Sequence, residues 1–229
     1  MWWLWCVMAL GNDLKTSDRS LRVREIQTPI LQRRLEEMAL DWGAPVFLRL
    51  FKHESVLELW IQTQAGTYRR FANYPICRFS GELGPKQKEG DQQAPEGFYA
   101  TTPGLMNPYS SYHLSFNVGY PNAFDRSLGR TGSLIMIHGS CVSIGCFAMT
   151  DAGIEEIYTL VEAALLKGQK AVPIHIFPFK FSPENWEILG QDQWNPFWRD
   201  LEKAYEAFEK QRIPPKIRIK NTRYVVEEP

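Results

Sequence analysis

The period of the apolar residues changes along this chain, and those changes decide which layers it can build. Between residues 20 and 42, Ile26, Ile30, Leu31, Leu35, Met38 and Trp42 recur at near-helical spacing with Arg and Glu between them, as expected of a helix with one buried stripe. Pro29 interrupts the stripe and places the helix start near Thr28, which could cap it. From Pro45 the period shortens. Residues 46–51, 56–61, the stretch holding Tyr68 and Phe71 after Gly66, and residues 76–79 read as strands of a meander with one buried face.

Residues 81–97 are polar and rich in Gly and Pro, the composition of a long surface loop. A strand is expected at 112–116 and another in the apolar run 134–138. Helical spacing returns after Thr150 or Asp151 as N-cap, with Ile154, Ile157, Tyr158, Val161, Ala164 and Leu165 as its stripe and Gly168 as its end. Residues 171–177 form a further strand. The aromatics between Trp186 and Phe208 suit one or two amphipathic helices, and 213–229 read as a terminal extension.

The chain therefore reads as mixed α+β and β-rich, with helical N- and C-terminal embellishments. The expected organisation is a signal or disordered segment at 1–19, an N-terminal helix at 20–44, a core domain at 45–180 and an aromatic-rich helical extension at 181–229. A length of 229 residues suits one large domain with embellishments, and eight Trp indicate a packed core rather than a solvated chain.

Lys+Arg and Asp+Glu both number 26, with no basic run to follow a phosphate backbone, which speaks against a nucleic-acid partner. The long apolar run, residues 1–11, is too short to span a bilayer. It has the length of a signal-peptide apolar region and ends in Ala9-Leu10-Gly11, yet lacks the preceding basic residues. Export with cleavage and a retained, partly buried N-terminus both fit it.

Four cysteines, Cys6, Cys77, Cys141 and Cys146, are too few for a disulfide scaffold, and loss of Cys6 with a signal would leave at least one thiol unpaired. No Cys or His pair has zinc-ligand spacing, so neither a metal nor another cofactor is expected. His53, His113 and His175 suit ordinary, satisfied polar roles.

The chemistry concentrates in residues 134–151. His138 ends the apolar run, and Cys146 follows eight residues later, just ahead of a helix start. A thiol is only a few per cent ionised at neutral pH, so a nucleophilic cysteine needs a base or a helix N-terminus beside it. Spacing alone does not separate such a dyad from a core cysteine and a strand-end histidine. Gly139 and Gly145, beside the two residues, permit the sharp turn and close backbone approach that the dyad requires.

These residues resemble the catalytic domain of L,D-transpeptidases, the YkuD family, whose signature is a strand-end His-Gly followed by a Ser/Thr-His-Gly-Cys turn. Ile137-His138-Gly139 and Ser143-Ile144-Gly145-Cys146 match that order. The stretch 143–151 is similar to the YafK-like branch, as are 79–81, 84–86, 95–99, 115–117 and 119–122. The resemblance covers roughly residues 45–210.

It implies a YkuD-like sheet or β-sandwich core at 45–180, Cys146 as nucleophile, His138 as general base, and backbone around Gly139 and Ser140 orienting the imidazole. Backbone N–H groups near Gly145 and Cys146, with Ser143, would form the oxyanion and substrate-binding region. Lys86, with Lys88 and Arg78, could meet stem-peptide carboxylates, although a solvated loop charge is the default for each. Two positions depart from the family pattern: Ile144 stands where a second His is usual and Ala148 where Arg or Asn is usual.

The implied activity is cysteine acyl transfer on peptidoglycan stem peptides in an exported, periplasmic protein. The YafK-like branch implies an amidase that frees an outer-membrane lipoprotein from meso-diaminopimelate. The alternatives are L,D-transpeptidation and a non-catalytic wall-binding module. Cys141 could also act as a resolving thiol for Cys146, against the plainer reading of a small loop residue.

Overall fold

The computed structural model describes residues 14–227 except Ile144. The apolar run at 1–11, Cys6 and the departure at Ile144 lie outside the described residues.

Helix α1 (Asp18–Glu37) begins ten residues ahead of Thr28 and runs straight through Pro29. Ser17 caps it: its Oγ accepts from the Ser20 N–H while Ser20 Oγ accepts from the Ser17 N–H. Proline removes one helical hydrogen bond. That loss is offset by burial of Val23, Leu31 and Leu35 and by the ion pairs Arg24–Glu162 and Arg34–Glu156, each at 2.7 Å. Tertiary contact thus overrides the local breaker.

The strands are β1 (Val46–Phe51), β2 (Val56–Gln62), β3 (Tyr68–Phe79), β4 (Gly97–Thr101), β5 (Met106–Asn107), β6 (Ser115–Asn117), β7 (Met136–His138), β8 (Phe147–Met149) and β9 (Val172–Phe177). They form a nine-stranded sheet in the order β4-β9-β1-β2-β3-β8-β7-β6-β5. Pairs β1·β9 and β7·β8 are parallel and the others antiparallel. The remaining elements are α2 (Ala123–Ser127), α3 (Asp151–Leu166), α4 (Pro183–Leu189), α5 (Asn195–Gln211) and the hairpin of β10 (Ile217–Lys220) with β11 (Arg223–Val226). Strand β3 runs unbroken over twelve residues, joining what the sequence suggested were separate strands.

The expected single buried face is corrected by the central strands, since all six residues of β1 are buried. Val46, Leu48 and Leu50 join the core shared with α1 and α3, whereas Phe47 packs with Trp60 and Phe208 of α5. A second aromatic cluster joins Phe51, Phe177 and Phe179 to Trp198 and Leu201 of α5 and to Tyr224 of β11. Successive strand side chains point to opposite faces, so a near-continuous apolar run is the mark of a strand covered on both sides. The C-terminal segment supplies the second cover.

His175 on β9 lies in that aromatic layer, with its ring 4.7 Å from Phe47 and 4.6 Å from Phe98. Full burial, with the Arg49 charge nearby, lowers its pKa to about 3. It is a neutral packing residue.

The 81–97 segment is less a surface loop than a strap. Lys52 and Glu96 are fully buried and 3.0 Å apart. The Lys52 ammonium also donates to the Gly84 and Ala94 carbonyls, and Glu96 accepts from the Gly84 N–H and the Trp198 indole. One ion pair therefore fastens β1, the strap and α5 together.

Cys141 pairs with Cys77 on β3, across 64 positions of sequence. This corrects both the resolving-thiol idea and the plain loop reading, and leaves Cys146 as the free thiol among the described residues. Closing a loop of that length restricts the unfolded chain and is worth roughly 2–4 kcal/mol. Replacing both cysteines by serine is expected to lower unfolding free energy by about that amount. Urea denaturation of the two proteins checks it, and equal midpoints would refute the stabilising role.

Candidate active site

Strand β7 ends at His138, and β8 begins immediately after Cys146. In the parallel pair, Ile137 stands opposite Phe147 and His138 opposite Ala148. Extending that register by one puts Cys146 opposite Met136, two residues before His138 on the neighbouring strand. The two Cα atoms are then two residues and one strand apart, roughly 8 Å. A short parallel pair thus brings together two residues that the sequence separates by a loop.

The expected help from a helix N-terminus is absent. Strand β8 intervenes between Cys146 and α3, whose cap is Thr150 with Oγ1 accepting from the Gly153 N–H at 3.0 Å. The thiol instead meets the Met136 N–H at 3.4 Å and points its proton toward the Leu134 carbonyl at 3.6 Å. Burial pushes its pKa up, opposed by the Met136 N–H and the Lys86 charge.

His138 is 2% exposed. Its Nδ1 lies 2.6 Å from the Gly139 carbonyl oxygen, which can only accept, so Nδ1 carries the proton and Nε2 presents a lone pair. Burial lowers the imidazole pKa, partly opposed by that same hydrogen bond. Tyr112 covers the ring, with centroids 4.9 Å apart.

Gly139 cannot carry a side chain. A Cβ there would lie 2.6 Å from Asp151 Oδ1 and 2.9 Å from His113 Cβ. Its N–H donates to the Tyr112 and Leu114 carbonyls. Ser140 contributes its backbone N–H to Asp151 Oδ1 at 2.8 Å, which ties the loop after His138 to the first turn of α3.

Ser143 braces the cysteine turn: its Oγ donates to the Cys146 carbonyl at 2.7 Å and lies 3.1 Å from the Oγ of Ser80, just after β3. Gly145 is buried with φ of 100°, a conformation that favours glycine. Ala148 is fully buried between His138 and Arg78 in the sheet register, so no polar group projects from that position.

The default of a solvated loop charge is corrected for Lys86. It is 4% exposed, paired with Asp91 and donating to the Lys88 carbonyl at 2.9 Å. Lys88 and Arg78 are exposed. His113 pairs with Glu155 at 2.8 Å and His53 is exposed.

Sequence reasoning missed Met136, Leu134 and Tyr112, which reach the site through backbone atoms or ring stacking and carry no motif of their own. Leu134, Val142 and Tyr112 are 72%, 50% and 46% exposed. No group of three or more metal-ligating side chains occurs among the described residues.

With the imidazole pKa lowered and the thiol pKa raised, the resting pair is neutral rather than a thiolate–imidazolium ion pair. Thiolate forms only as pH rises through a value above the ordinary thiol pKa. The alkylation rate of Cys146 by iodoacetamide is therefore expected to climb steadily between pH 6 and 9. A plateau already reached at pH 6 would show an ion pair and refute this.

A family model for the L,D-transpeptidase catalytic domain, YkuD, matches residues 59–176. The Escherichia coli (strain K12) protein named "Putative L,D-transpeptidase YafK" is 43% identical over 187 residues, covering 82% of this chain and 76% of that one. The same figures hold for its counterpart in Escherichia coli O157:H7. Among solved structures, the helical cell shape determining protein Pgp2 (K307A mutant) from Campylobacter jejuni has a TM-score of 0.49 at 20% identity. That match covers 84% of this chain and 66% of that one, so this chain spans just under two thirds of its length.

Proposed function

The chain belongs to the L,D-transpeptidase catalytic domain family, and from that membership we propose that it is a cysteine acyl-transfer enzyme of peptidoglycan. The observation that carries this reading is a free thiol one strand and two register positions away from a histidine whose Nδ1 proton is held by Gly139.

In the proposed reaction Cys146 Sγ turns from the Leu134 carbonyl toward His138 Nε2 and attacks the carbonyl carbon next to meso-diaminopimelate. The imidazole takes the thiol proton as the S–C bond forms, then gives it to the departing amine as the C–N bond breaks. Backbone N–H groups at Gly145 and Cys146 would hold the oxyanion. Water, activated by the same imidazole, then cleaves the thioester.

The departing amine is proposed to belong to a polypeptide attached to the stem, making the enzyme an amidase that frees a wall-bound lipoprotein. Two features support hydrolysis: Cys146 is only part-buried, so a thioester there is open to water, and the buried Ala148 offers no polar contact for a second stem. The names of the family and of the Escherichia coli relatives favour a second reading, transpeptidation onto a second stem peptide. Both readings place the protein outside the cytoplasmic membrane, where the wall is.

Incubating the protein with muropeptides that carry either a lipoprotein remnant or a free tetrapeptide, followed by mass spectrometry, separates the two. Release of the remnant as a free peptide is expected. Product from tetrapeptide donors alone would overturn the amidase, and unchanged substrates of both kinds would overturn the enzyme.

A further inference from the structure

A cleft of about 930 Å³ opens beside β2, β3 and α5, and neither Cys146 nor His138 lines it. At its floor Glu58, 2% exposed, accepts from the Trp60 indole at 3.0 Å and pairs with Arg49, Arg70 and Lys180 at 3.3, 3.5 and 3.3 Å. Glu209 pairs with Arg49 at 2.6 Å and with Arg212 at 2.7 Å. With Arg69 the cleft is lined by five cations, against the four carboxylates Glu58, Glu209, Glu36 and Asp41, a surplus of one positive charge in a chain whose formal net charge is zero.

We propose that this cleft is a second, non-catalytic binding site that takes a carboxylate-bearing peptide. The inference goes beyond the acyl-transfer reading and does not depend on it. Arg70, Lys180 and Arg212 expose 49%, 36% and 41% of their side chains, so donors not used by Glu58 and Glu209 face the cleft. A guanidinium offers five N–H groups in a fork that matches a carboxylate. Arg70 and Arg212 also lie over the Trp60 ring, at 5.7 and 5.2 Å, so little side-chain freedom is lost on binding.

Two features favour a peptide over a simple anion. The cleft falls within the volume range of sites for extended organic ligands rather than single ions. Its rim also carries the exposed acids Glu36 and Asp41, which would meet an ammonium group of the same ligand.

The occupant is separate from the group at Cys146. Arg70 and Arg78 lie eight positions apart on β3, roughly 26 Å along an extended strand, and Arg78 pairs with Ala148 beside the candidate nucleophile. Arg70, Asn73, Pro75 and Arg78 are exposed along that strand. A polymeric substrate could therefore occupy both places at once.

The test uses the full chain with Cys146→Ala, so that no turnover intervenes, and follows the Trp60 indole N–H resonance. The probes are a free murein stem tetrapeptide, a hexaglutamate peptide and inorganic phosphate. A saturable shift with a peptide is expected. It should weaken tenfold or more in Arg70→Glu/Arg212→Glu and persist in Arg70→Lys/Arg212→Lys, with Lys180→Glu as a second weakening variant should the double glutamate variant misfold.

A shift with the tetrapeptide identifies a stem peptide as the source. A shift with hexaglutamate alone identifies an acidic protein segment, and either supports the site. No shift with either peptide, an equal shift with phosphate at the same concentration, or a shift indifferent to the glutamate substitutions would overturn it. Because the readout needs no chemistry at Cys146, its failure is distinct from failure of the enzyme reading.

Discussion

Replacing Cys146 by alanine is expected to abolish product formation, a loss on the order of 10³-fold or more, while leaving the unfolding midpoint nearly unchanged. The thiol is the proposed nucleophile, and its partners are backbone atoms: the Met136 N–H and the Leu134 carbonyl. Removing sulfur therefore strands no buried charge. His138→Gln should retain more activity than Cys146→Ala, because a general base contributes typically about 10²–10⁴-fold. It should also remove the acid limb of the rate profile. In the proposed reaction neutral imidazole is the active form and burial lowers its pKa, so kcat/KM of the native protein should rise with pH through a value below 6.5. Activity in Cys146→Ala above a tenth of the native rate would refute the nucleophile assignment.

The largest expected effect on stability is at Glu96. Glu96→Leu leaves the Lys52 ammonium, fully buried, with only the Gly84 and Ala94 carbonyls, and also unpairs the Gly84 N–H and the Trp198 indole. Breaking a buried pair from one side costs about 3–5 kcal/mol. Lys52 already has its pKa lowered by burial, against the attraction of Glu96, and losing Glu96 lowers it further. Between the folded Lys52 pKa of the variant and the higher one of the native protein, the folded variant has already lost a proton that the native protein keeps, so the deficit should shrink as pH rises through that window. Adding Lys52→Met should recover part of the loss, because the uncompensated charge is gone. Urea denaturation of both variants at pH 7 and pH 9 tests this. A single variant within 1 kcal/mol of the native protein would refute the role given to the pair.

Much of the fold could be read from local pattern. The helix after Thr150, the strands at 46–51 and 56–61 and the amphipathic C-terminal helix follow from apolar period and capping chemistry, which act over a few residues. The errors share one cause. Pro29 was expected to start a helix, but packing on α3 carries α1 through it. The meander was expected to have a wet face, but a helix about 150 residues away covers it. Lys86 and the 81–97 segment look solvated in composition, yet one pairs with Asp91 and the other is fastened by Lys52 and Glu96.

At the site, the sequence by itself determined the chemical identities: a strand-end His-Gly, a Gly-Cys turn, and glycines where a side chain or ordinary backbone would not fit. Those are local requirements, and residue type meets them directly. Only the tertiary structure decided how the thiol is set. The register of β7 against β8 puts Cys146 one strand from His138, the Gly139 carbonyl fixes the tautomer, and Met136 with Lys86 replaces the helix end that spacing suggested. Which thiols pair was likewise a matter of distance in space, since Cys77 on β3 meets Cys141 in the loop between β7 and β8. Register, burial and long-range pairing depend on segments far apart in the chain, and no local pattern encodes them.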